Sequence, residues 1–260
     1  MNELVCSNLS YKNLLKDINI SFRKNTINYI SGSNKSSKTT FIRALCGIIG
    51  TEKSVFYKDK DISSFSSQYL VMSIGRVINS NTIEFNFSNI DQVLQYRLDQ
   101  IGTDINQKKN MRNLIKKFSL NNYMEEDINS LDYLIKVKVL IIRELLSSPS
   151  VLILDNVLDS VDYENAKQII MLLKEIDDLT VIISSNNLEL SIFSDYLYIL
   201  DGGCIVLEGK TLDVLKEDSF LNKLGLELPF MVDLSIKLKY YNLLDDIELD
   251  MSRMVDNLWK

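Results

Sequence analysis

The sequence lacks histidine: none of its 260 residues is one. No imidazole is therefore available in this chain as a proton acceptor, a metal ligand or a charge that switches near neutral pH. The sequence also lacks a long hydrophobic run, since no apolar stretch approaches the roughly 18–20 residues needed to cross a bilayer. Residues 1–10 hold no basic segment followed by an apolar one, so we expect no signal peptide. These absences predict a cytosolic protein.

Cysteine is scarce, and the chain has no net positive charge. Cys6, Cys46 and Cys204 are odd in number and far apart, and no Cys-x-x-Cys pair occurs. We therefore expect reduced, buried, apolar side chains rather than metal or redox ligands. The formal net charge of -6 argues against a nucleic-acid partner, which would require a basic face. With 46% hydrophobic and 25% charged residues, the chain has an ordinary globular composition, and its length allows one large α/β domain or a domain with an appendage.

Residues 31–40 form a loop of small and polar residues between a predicted strand and a predicted helix. Residues 4–30 alternate short apolar runs with turn residues, which predicts an antiparallel β region whose last strand covers residues 26–30. Residues 41–49 are apolar at helical spacing. A strand, a small-residue loop and a helix in this order are the context of a phosphate-binding loop.

Three further stretches predict helices. Residues 91–124 are polar with apolar residues at helical spacing, which indicates a helical subdomain of about three helices. Residues 137–146 are apolar nearly all round, as in a helix buried in a core. From residue 209 onward the chain is polar and helical in pattern. The apolar residues of the first stretch are Val93, Leu94, Leu98, Met111, Leu114, Ile115 and Phe118.

The remaining elements predict a parallel sheet. Residues 151–155 and 181–185 are unbroken apolar runs, the pattern of parallel strands covered on both faces. Residues 196–207 predict a hairpin that turns at residues 201–203. The predicted fold class is therefore α/β, with an antiparallel β region, a parallel core, a helical subdomain and a C-terminal helical extension.

The loop departs from the phosphate-loop pattern Gly-x-x-x-x-Gly-Lys-Ser/Thr at its last glycine. Gly32 opens the loop and Lys38 and Thr39 close it, but Ser37 stands in the glycine position. Glycine there allows a left-handed backbone and close approach of N–H groups to phosphate, and another residue in that conformation costs roughly 1–2 kcal/mol. Two interpretations stay open: Lys38 contacts the β- and γ-phosphates and Thr39 reaches Mg²⁺, or the loop is empty. The candidate phosphate-binding residues are Gly32, Ser33, Asn34, Lys35, Ser36, Ser37, Lys38, Thr39 and Thr40.

With these elements in this order, the chain resembles the ATPase subunits of ABC transporters over nearly its whole length. Tyr11 occupies the position at which that family stacks an aromatic ring on adenine, and Asn79 the position of its Q-loop glutamine. The strand that ends at Asp155 resembles the Walker B strand, residues 159–162 the D-loop, and residues 201–203 the hairpin after the H-loop. The resemblance implies ATP and Mg²⁺ as weakly bound ligands, with Asp155 holding the metal through water.

The C-terminal tail resembles that of a narrower group, the ATPases of energy-coupling-factor (ECF) transporters for vitamins and metals. The resemblance rests on residues 224–230 and the final Leu258 and Trp259. Phe85 and residues 91–93 also resemble the segment that follows the Q-loop in this group. It implies a pair of ATPase subunits beneath a transmembrane coupling subunit, to which a substrate-binding membrane protein attaches.

The resemblance also implies an active site that has lost its reactive groups. Asn156 replaces the glutamate that polarises the attacking water. An amide accepts no proton near neutral pH, and losing a general base costs about 10²–10⁴ in rate. Asn186 replaces the switch histidine, and Asn79 reaches one methylene less far than glutamine. Lys35 replaces a second loop glycine and adds positive charge beside the phosphates. We therefore expect little hydrolysis and assign no confident catalytic residue.

The ABC signature motif is replaced as well. Residues 131–135 stand where that family places Leu-Ser-Gly-Gly-Gln, at a helix N-terminus facing the γ-phosphate bound by the partner subunit. Asp132 puts a negative charge there, and Tyr133 and Leu134 replace the glycines, so we expect no contact with ATP. A simpler interpretation is that Ser130 or Asp132 caps the helix.

Together these features predict a nucleotide-binding subunit of an ABC transporter of the ECF type, in which ATP binding by an ATPase dimer moves a transmembrane partner. We expect a heterodimer with a better-equipped ATPase subunit, on the cytoplasmic face of the membrane and attached only through its partners. The expected division is an ATPase domain over residues 1–210, with a helical subdomain at 88–135, and an extension over 211–260. Three alternatives stay open: a scaffold that binds no nucleotide, an ATPase with substituted chemistry, and a soluble ABC protein outside transport.

Overall fold

The computed structural model describes residues 2–51, 53–79, 83–102 and 104–259. Within these ranges the strands are β1 (Asn2–Tyr11), β2 (Leu15–Arg23), β3 (Ile27–Ser31), β4 (Val55–Tyr57), β5 (Lys60–Asp61), β6 (Ile74–Ile78), β7 (Val151–Asp155), β8 (Thr180–Ser184), β9 (Tyr196–Asp201) and β10 (Cys204–Lys210). The helices are α1 (Lys38–Leu45), α2 (Ser67–Ser73), α3 (Ile90–Ile101), α4 (Ile105–Lys117), α5 (Tyr133–Leu145), α6 (Tyr163–Lys174), α7 (Thr211–Leu215), α8 (Asp218–Lys223), α9 (Phe230–Tyr240) and α10 (Met251–Leu258).

The strands form two sheets. An antiparallel sheet has the order β2-β1-β4-β5, and a six-stranded sheet has the order β10-β9-β3-β8-β7-β6. In the second sheet β9, β3, β8, β7 and β6 run parallel, and β10 pairs antiparallel with β9 at one edge. The predicted mixed α/β fold, including the hairpin of β9 and β10, is confirmed.

The strand β3 differs from the prediction, which placed residues 4–30 in one antiparallel region. β1 and β2 do pair antiparallel, but β3 lies between β8 and β9 and is parallel to both. Burial explains the difference. Exposed residues recur along β2, which has a solvent face, whereas all five residues of β3 are buried. The strand that precedes the candidate phosphate loop is therefore a central strand of the parallel sheet.

The six-stranded sheet is covered on both faces, as its unbroken apolar strands predict. Ile27 and Tyr29 of β3 face a core that also contains apolar residues of α3, α4, α5 and α6. Ile30 faces a second core, which contains residues of α1 and of the antiparallel sheet. In β7, Leu152 faces the first core and Ile153 the second. Burial on both sides holds the carboxyl ends of these strands in place.

The predicted helices are present with shifted ends. α1 begins at Lys38 and ends at Leu45 rather than covering residues 41–49, because Gly47 takes a left-handed φ of 66° just beyond its end. All seven apolar residues predicted within 91–124 are buried. α5 begins at Tyr133, before the predicted residue 137, and most of its residues are buried, as the all-round apolar pattern indicates.

The three cysteines are free thiols with different exposure. Cys6 is buried, whereas Cys46 and Cys204 are partly exposed, so the expectation of buried side chains is wrong for the latter two. Cys46 follows the end of α1 and lines a surface cleft, and Cys204 begins the edge strand β10. In the part of the chain that the structure describes, no helix combines the length and the apolar character needed to span a bilayer.

Candidate functional site

The loop between β3 and α1 lies at the carboxyl ends of the parallel strands, where ligands bind in open α/β sheets. Gly32 is required at the start of this loop. A Cβ atom there would lie 2.0 Å from the carbonyl oxygen of Leu200 in β9. No side chain fits in that space, so β9 fixes the path of the chain from β3 into the loop.

Two residues of the loop adopt a left-handed backbone although neither is glycine. The φ angle is 73° at Lys35 and 77° at Ser37. These are the two positions at which glycine is the expected residue in such a loop. Each costs roughly 1–2 kcal/mol, which the surrounding fold must offset. The loop therefore keeps the backbone form of a phosphate loop at a conformational cost.

The side chain of Lys38 is folded back onto the loop. Its Nζ donates hydrogen bonds to the carbonyl oxygens of Gly32 at 2.7 Å and Ser33 at 3.1 Å, and to Ser36 Oγ at 3.1 Å. The residue is buried, and burial lowers the pKa of its ammonium, against the opposing effect of two nearby aspartates. An incoming anion would replace these neutral oxygens as the partner of a partly desolvated positive charge.

Asp155 ends β7, near Lys38. The residue is buried, and its Oδ1 has no hydrogen-bond partner among the described residues. Burial raises the pKa of this carboxyl, while a hydrogen bond from Ser184 and the charge of Lys38 act in the opposite direction. A buried carboxylate oxygen without a partner is costly, and a hard cation would satisfy it. Since proteins hold Mg²⁺ through one or two carboxylates together with substrate phosphates, Asp155 fits the metal role predicted for it, and Thr39 lines the neighbouring cleft.

A cleft of about 300 Å³ opens over the loop. Its lining combines the loop with residues that follow β7 and β8: Asn34, Lys35, Ser36, Ser37, Lys38, Thr39, Thr40, Asn156 and Asn186. A larger cavity of about 670 Å³ is lined by Ser150 and Leu179, which lie immediately before β7 and β8, at the opposite edge of the sheet. Because ligands of open parallel sheets bind at the carboxyl edge, the smaller cleft is the candidate site. The ligand roles of its residues stay predictions.

Asp159 links the two asparagines of the cleft. Its carboxylate accepts hydrogen bonds from Asn156 Nδ2 at 2.8 Å, from Ser185 Oγ at 2.5 Å, and from the backbone N–H of Asn186 at 3.4 Å. The amides of Asn156 and Asn186 can orient a water molecule but accept no proton near neutral pH. In the sequence analysis Asp159 belongs to the segment that resembles the D-loop and is not among the predicted site residues. The signal available was a second carboxylate four residues after Asp155.

Asn79 and Tyr11 do not line the cleft. The side-chain amide of Asn79 is engaged at both ends, because Nδ2 donates to the carbonyl oxygen of Asn156 at 3.0 Å and Oδ1 accepts from the Tyr133 hydroxyl at 3.1 Å. Tyr11 ends β1 and is half-buried, with the ammonium of Lys12 5.2 Å from the centre of its ring. The roles predicted for them, contact with metal and water for Asn79 and stacking on adenine for Tyr11, stay predictions.

The start of α5 makes its contacts within its own chain. The Tyr133 hydroxyl also lies 3.1 Å from the carbonyl oxygen of Val157, a contact that sequence spacing does not reveal. Asp132 occupies the cap position of α5 but makes no side-chain hydrogen bond to the helix, and Ser130 Oγ donates instead to the carbonyl oxygen of Asp127. Of the two predicted caps, Asp132 is therefore the N-cap residue of α5, without a side-chain hydrogen bond, and Ser130 is not. Asp132 is exposed, so water hydrates its carboxylate.

Comparisons with known proteins point to one family. A family model described as ABC transporter matches residues 15–159. The energy-coupling factor transporter ATP-binding protein EcfA of Pediococcus pentosaceus is 27% identical over 264 residues, which cover 96% of this chain and 94% of that protein. The solved structure of cbiO1 from Clostridium perfringens, part of the ABC transporter complex cbiONQ, has a TM-score of 0.72 at 22% identity over 90% of this chain and 99% of its own. MJ1267, an ATP-binding cassette of an ABC transporter in its ADP conformation, has a TM-score of 0.76 at 20% identity over 86% and 97% of the two chains.

Proposed function

This chain belongs to the ABC transporter family, and we propose that it is a nucleotide-binding subunit of an ECF-type transporter. The name of the Pediococcus relative supports the subtype, because the similarity spans nearly the full length of both chains. The residues that resemble the ECF tail lie between α8 and α9 and at the end of α10, within the helices that follow the last strand. We propose ATP as the nucleotide and Mg²⁺ as its counterion.

One observation carries the nucleotide proposal: the buried ammonium of Lys38 lines the cleft, and Asp155, next to the cleft residue Asn156, has a buried carboxylate oxygen with no hydrogen-bond partner among the described residues. In our account Lys38 pairs with the β- and γ-phosphates, the backbone N–H groups of the loop surround them, and Asp155 and Thr39 hold the ion. Mg²⁺, when bound, neutralises phosphate charge. We expect weak affinity, because Lys38 must give up three internal hydrogen bonds and because Lys35 and Ser37 carry side chains where glycine would allow the closest approach of phosphate.

We propose that the site binds ATP far better than it hydrolyses it. Asn156 and Asn186 line the cleft where a base and a charged donor would be needed. Asn79 is held by Tyr133 and by the backbone of Asn156 and does not reach into the cleft. The expected role is therefore mechanical, since binding alone can favour one conformation of an assembly.

We propose that the subunit pairs with a better-equipped ATPase subunit and contacts a transmembrane coupling subunit on the cytoplasmic face of the membrane. Exposed aromatic side chains on the tail support assembly with other proteins: Phe230 is 60%, Tyr240 82% and Trp259 85% exposed. Adjoining exposed apolar groups are typical of an interaction site, and the rings of Tyr240 and Tyr241 adjoin, with their centres 5.4 Å apart. In this account the chain reaches the membrane only through these partners.

Titration of the purified chain with a fluorescent ATP analogue and Mg²⁺ tests the proposal. We expect saturable binding that weakens by at least about 10-fold in Lys38→Ala and in Asp155→Asn, because each loses a charged contact. Lys60→Ala, which removes an exposed lysine of β5, is the matched control and should bind as the parent does. Binding that is unchanged in both cleft variants would contradict the proposal.

A second candidate function is a scaffold subunit that binds no nucleotide. The observation in its favour is that Lys38 already has three internal oxygen partners, so the loop is satisfied without a phosphate. The same titration separates the two functions. A scaffold predicts no signal that depends on Lys38 or Asp155.

A further inference from the structure

Tyr133 is a side chain of α5 that joins the ends of two strands of the parallel sheet. Its hydroxyl lies 3.1 Å from Asn79 Oδ1, just after β6, and 3.1 Å from the carbonyl oxygen of Val157, just after β7. Asn79 extends the connection through two further hydrogen bonds. Its Nδ2 donates to the carbonyl oxygen of Asn156 at 3.0 Å, and its backbone N–H donates to the carbonyl oxygen of Asp155 at 2.9 Å. The hydroxyl is thus two hydrogen bonds away from Asn156, which lines the cleft.

The start of α5 is itself attached to a second segment. The side chain of Asn129 accepts a hydrogen bond from the Phe85 N–H at 2.9 Å and donates one to the Phe85 carbonyl oxygen at 3.0 Å. Lys136 Nζ donates to the carbonyl oxygen of Asn129 at 2.7 Å. These bonds hold the first turn of α5, the turn before it and the segment at Phe85 together as one unit, which Tyr133 connects to the cleft.

We propose that Tyr133 is a positioning residue whose hydroxyl couples the start of α5 to Asn79 and residues 155–157, so that occupation of the cleft is transmitted to α5. The identity of the ligand rests on the proposed nucleotide binding, whereas the contacts of the Tyr133 hydroxyl do not depend on it. A ligand that shifts Asn156 must move the amide of Asn79, and with it the partner of the hydroxyl. By reciprocity, a partner that moves α5 changes the cleft.

The ring and the hydroxyl of Tyr133 have separable roles. The ring is partly buried and packs against the first core, so it stabilises the fold without the hydroxyl. Burial raises the pKa of the hydroxyl, so like any tyrosine it is protonated and can donate a hydrogen bond at neutral pH. Tyr133→Phe therefore preserves the packing and removes the coupling.

Hydrogen exchange of the full chain measured by mass spectrometry tests the inference first without nucleotide. In Tyr133→Phe we expect exchange at Asn79 and in residues 132–137 to be faster by about 3- to 10-fold, the effect of one or two neutral hydrogen bonds. Tyr123→Phe is the matched control, since Tyr123 packs against the same core and its hydroxyl makes no hydrogen bond within the described ranges. Unchanged exchange at both segments in Tyr133→Phe would overturn the inference.

The second arm adds an ATP analogue with Mg²⁺. We expect slower exchange in residues 32–40 of the parent and of Tyr133→Phe, and slower exchange in residues 132–137 of the parent alone. A ligand effect on residues 132–137 that persists in Tyr133→Phe would overturn the coupling, and a purely structural role of the hydroxyl predicts that persistence. If residues 32–40 respond in neither protein, the proposed nucleotide binding fails. The measurement without nucleotide still shows whether the Tyr133 hydroxyl holds Asn79 and the start of α5 together.

Discussion

Asp159 accepts a hydrogen bond from the side-chain amide of Asn156 across 2.8 Å, and this contact favours an amide side chain at residue 156, just after β7. A carboxylate at residue 156 would face the carboxylate of Asp159 at hydrogen-bond distance. Asn156 also has a left-handed φ of 55°, a conformation that asparagine adopts far more readily than glutamate. Both the contact with Asp159 and the backbone conformation therefore favour asparagine over glutamate at residue 156.

Asn156→Glu should destabilise the fold without restoring hydrolysis. We expect the free energy of unfolding to fall by about 1–2 kcal/mol, because the new residue carries both the left-handed backbone and the repulsion from Asp159. Denaturant unfolding measures the loss, and phosphate release measures the activity. Asn156→Asp separates the two causes, since aspartate tolerates the backbone but keeps the repulsion. A gain of Lys38-dependent turnover in Asn156→Glu alone would refute this interpretation.

Ser37→Gly should stabilise the chain. Glycine removes the strain of the left-handed φ of 77°, and the greater freedom of glycine in the unfolded chain offsets part of the gain, so we expect about 0.5–1 kcal/mol. The nucleotide analogue should also bind more tightly, since glycine removes a side chain beside the N–H groups that approach the phosphate. Ser36→Gly is the comparison, because Ser36 has no left-handed φ and its hydroxyl accepts from Lys38. If both variants lose stability equally, strain at Ser37 is not the cause.

Gly32→Ala should lose both stability and nucleotide binding. The added methyl group would lie 2.0 Å from the carbonyl oxygen of Leu200, so β9 and the loop must separate. We expect a loss of about 3 kcal/mol in unfolding free energy, in the range of overpacked interiors. Gly50→Ala adds the same methyl group where no atom lies within 4 Å, and its stability should change by less than about 0.5 kcal/mol. Similar effects of the two substitutions would show that the space at Gly32 is not limiting.

Because the carboxyl of Asp155 is buried, we expect Mg²⁺ binding to depend on pH. Burial raises the pKa of its carboxyl above the ordinary 3.8, so protons compete with the cation at a higher pH than at an exposed aspartate. The Mg²⁺-dependent part of the nucleotide affinity should fall first as the pH drops through this raised pKa. The native state binds this proton more readily than the unfolded chain, so the contribution of Asp155 to stability rises with acidification between the raised pKa and 3.8.

Asp155→Asn provides the control for both measurements. The variant should lose the Mg²⁺-dependent affinity at every pH and should lack the gain in unfolding free energy on acidification. Nucleotide titration and denaturant unfolding over the same acid range give the two readouts. Parallel pH profiles for the variant and the parent would assign the effect to another group.

The apolar pattern predicted most of the fold because burial on both faces leaves a direct mark on the sequence, as at β7 and β8. The spacing from Gly32 to Lys38 predicted the loop for a similar reason, since a tight turn and a phosphate contact restrict the residue types. The pairing of β3 was not predictable from its five residues, because a short apolar run suits either sheet. The contact of Tyr133 with Asn79 and Val157 depends on how α5 packs against the sheet, and residue spacing does not encode that distance.

The central claim, that the cleft binds ATP without appreciable hydrolysis, is tested most directly by phosphate release at an Mg²⁺–ATP concentration that titration shows to fill the cleft. The account predicts that the parent chain releases phosphate no faster than Lys38→Ala, although the parent binds the nucleotide more tightly. Release that is clearly faster in the parent and is lost in Lys38→Ala would contradict it.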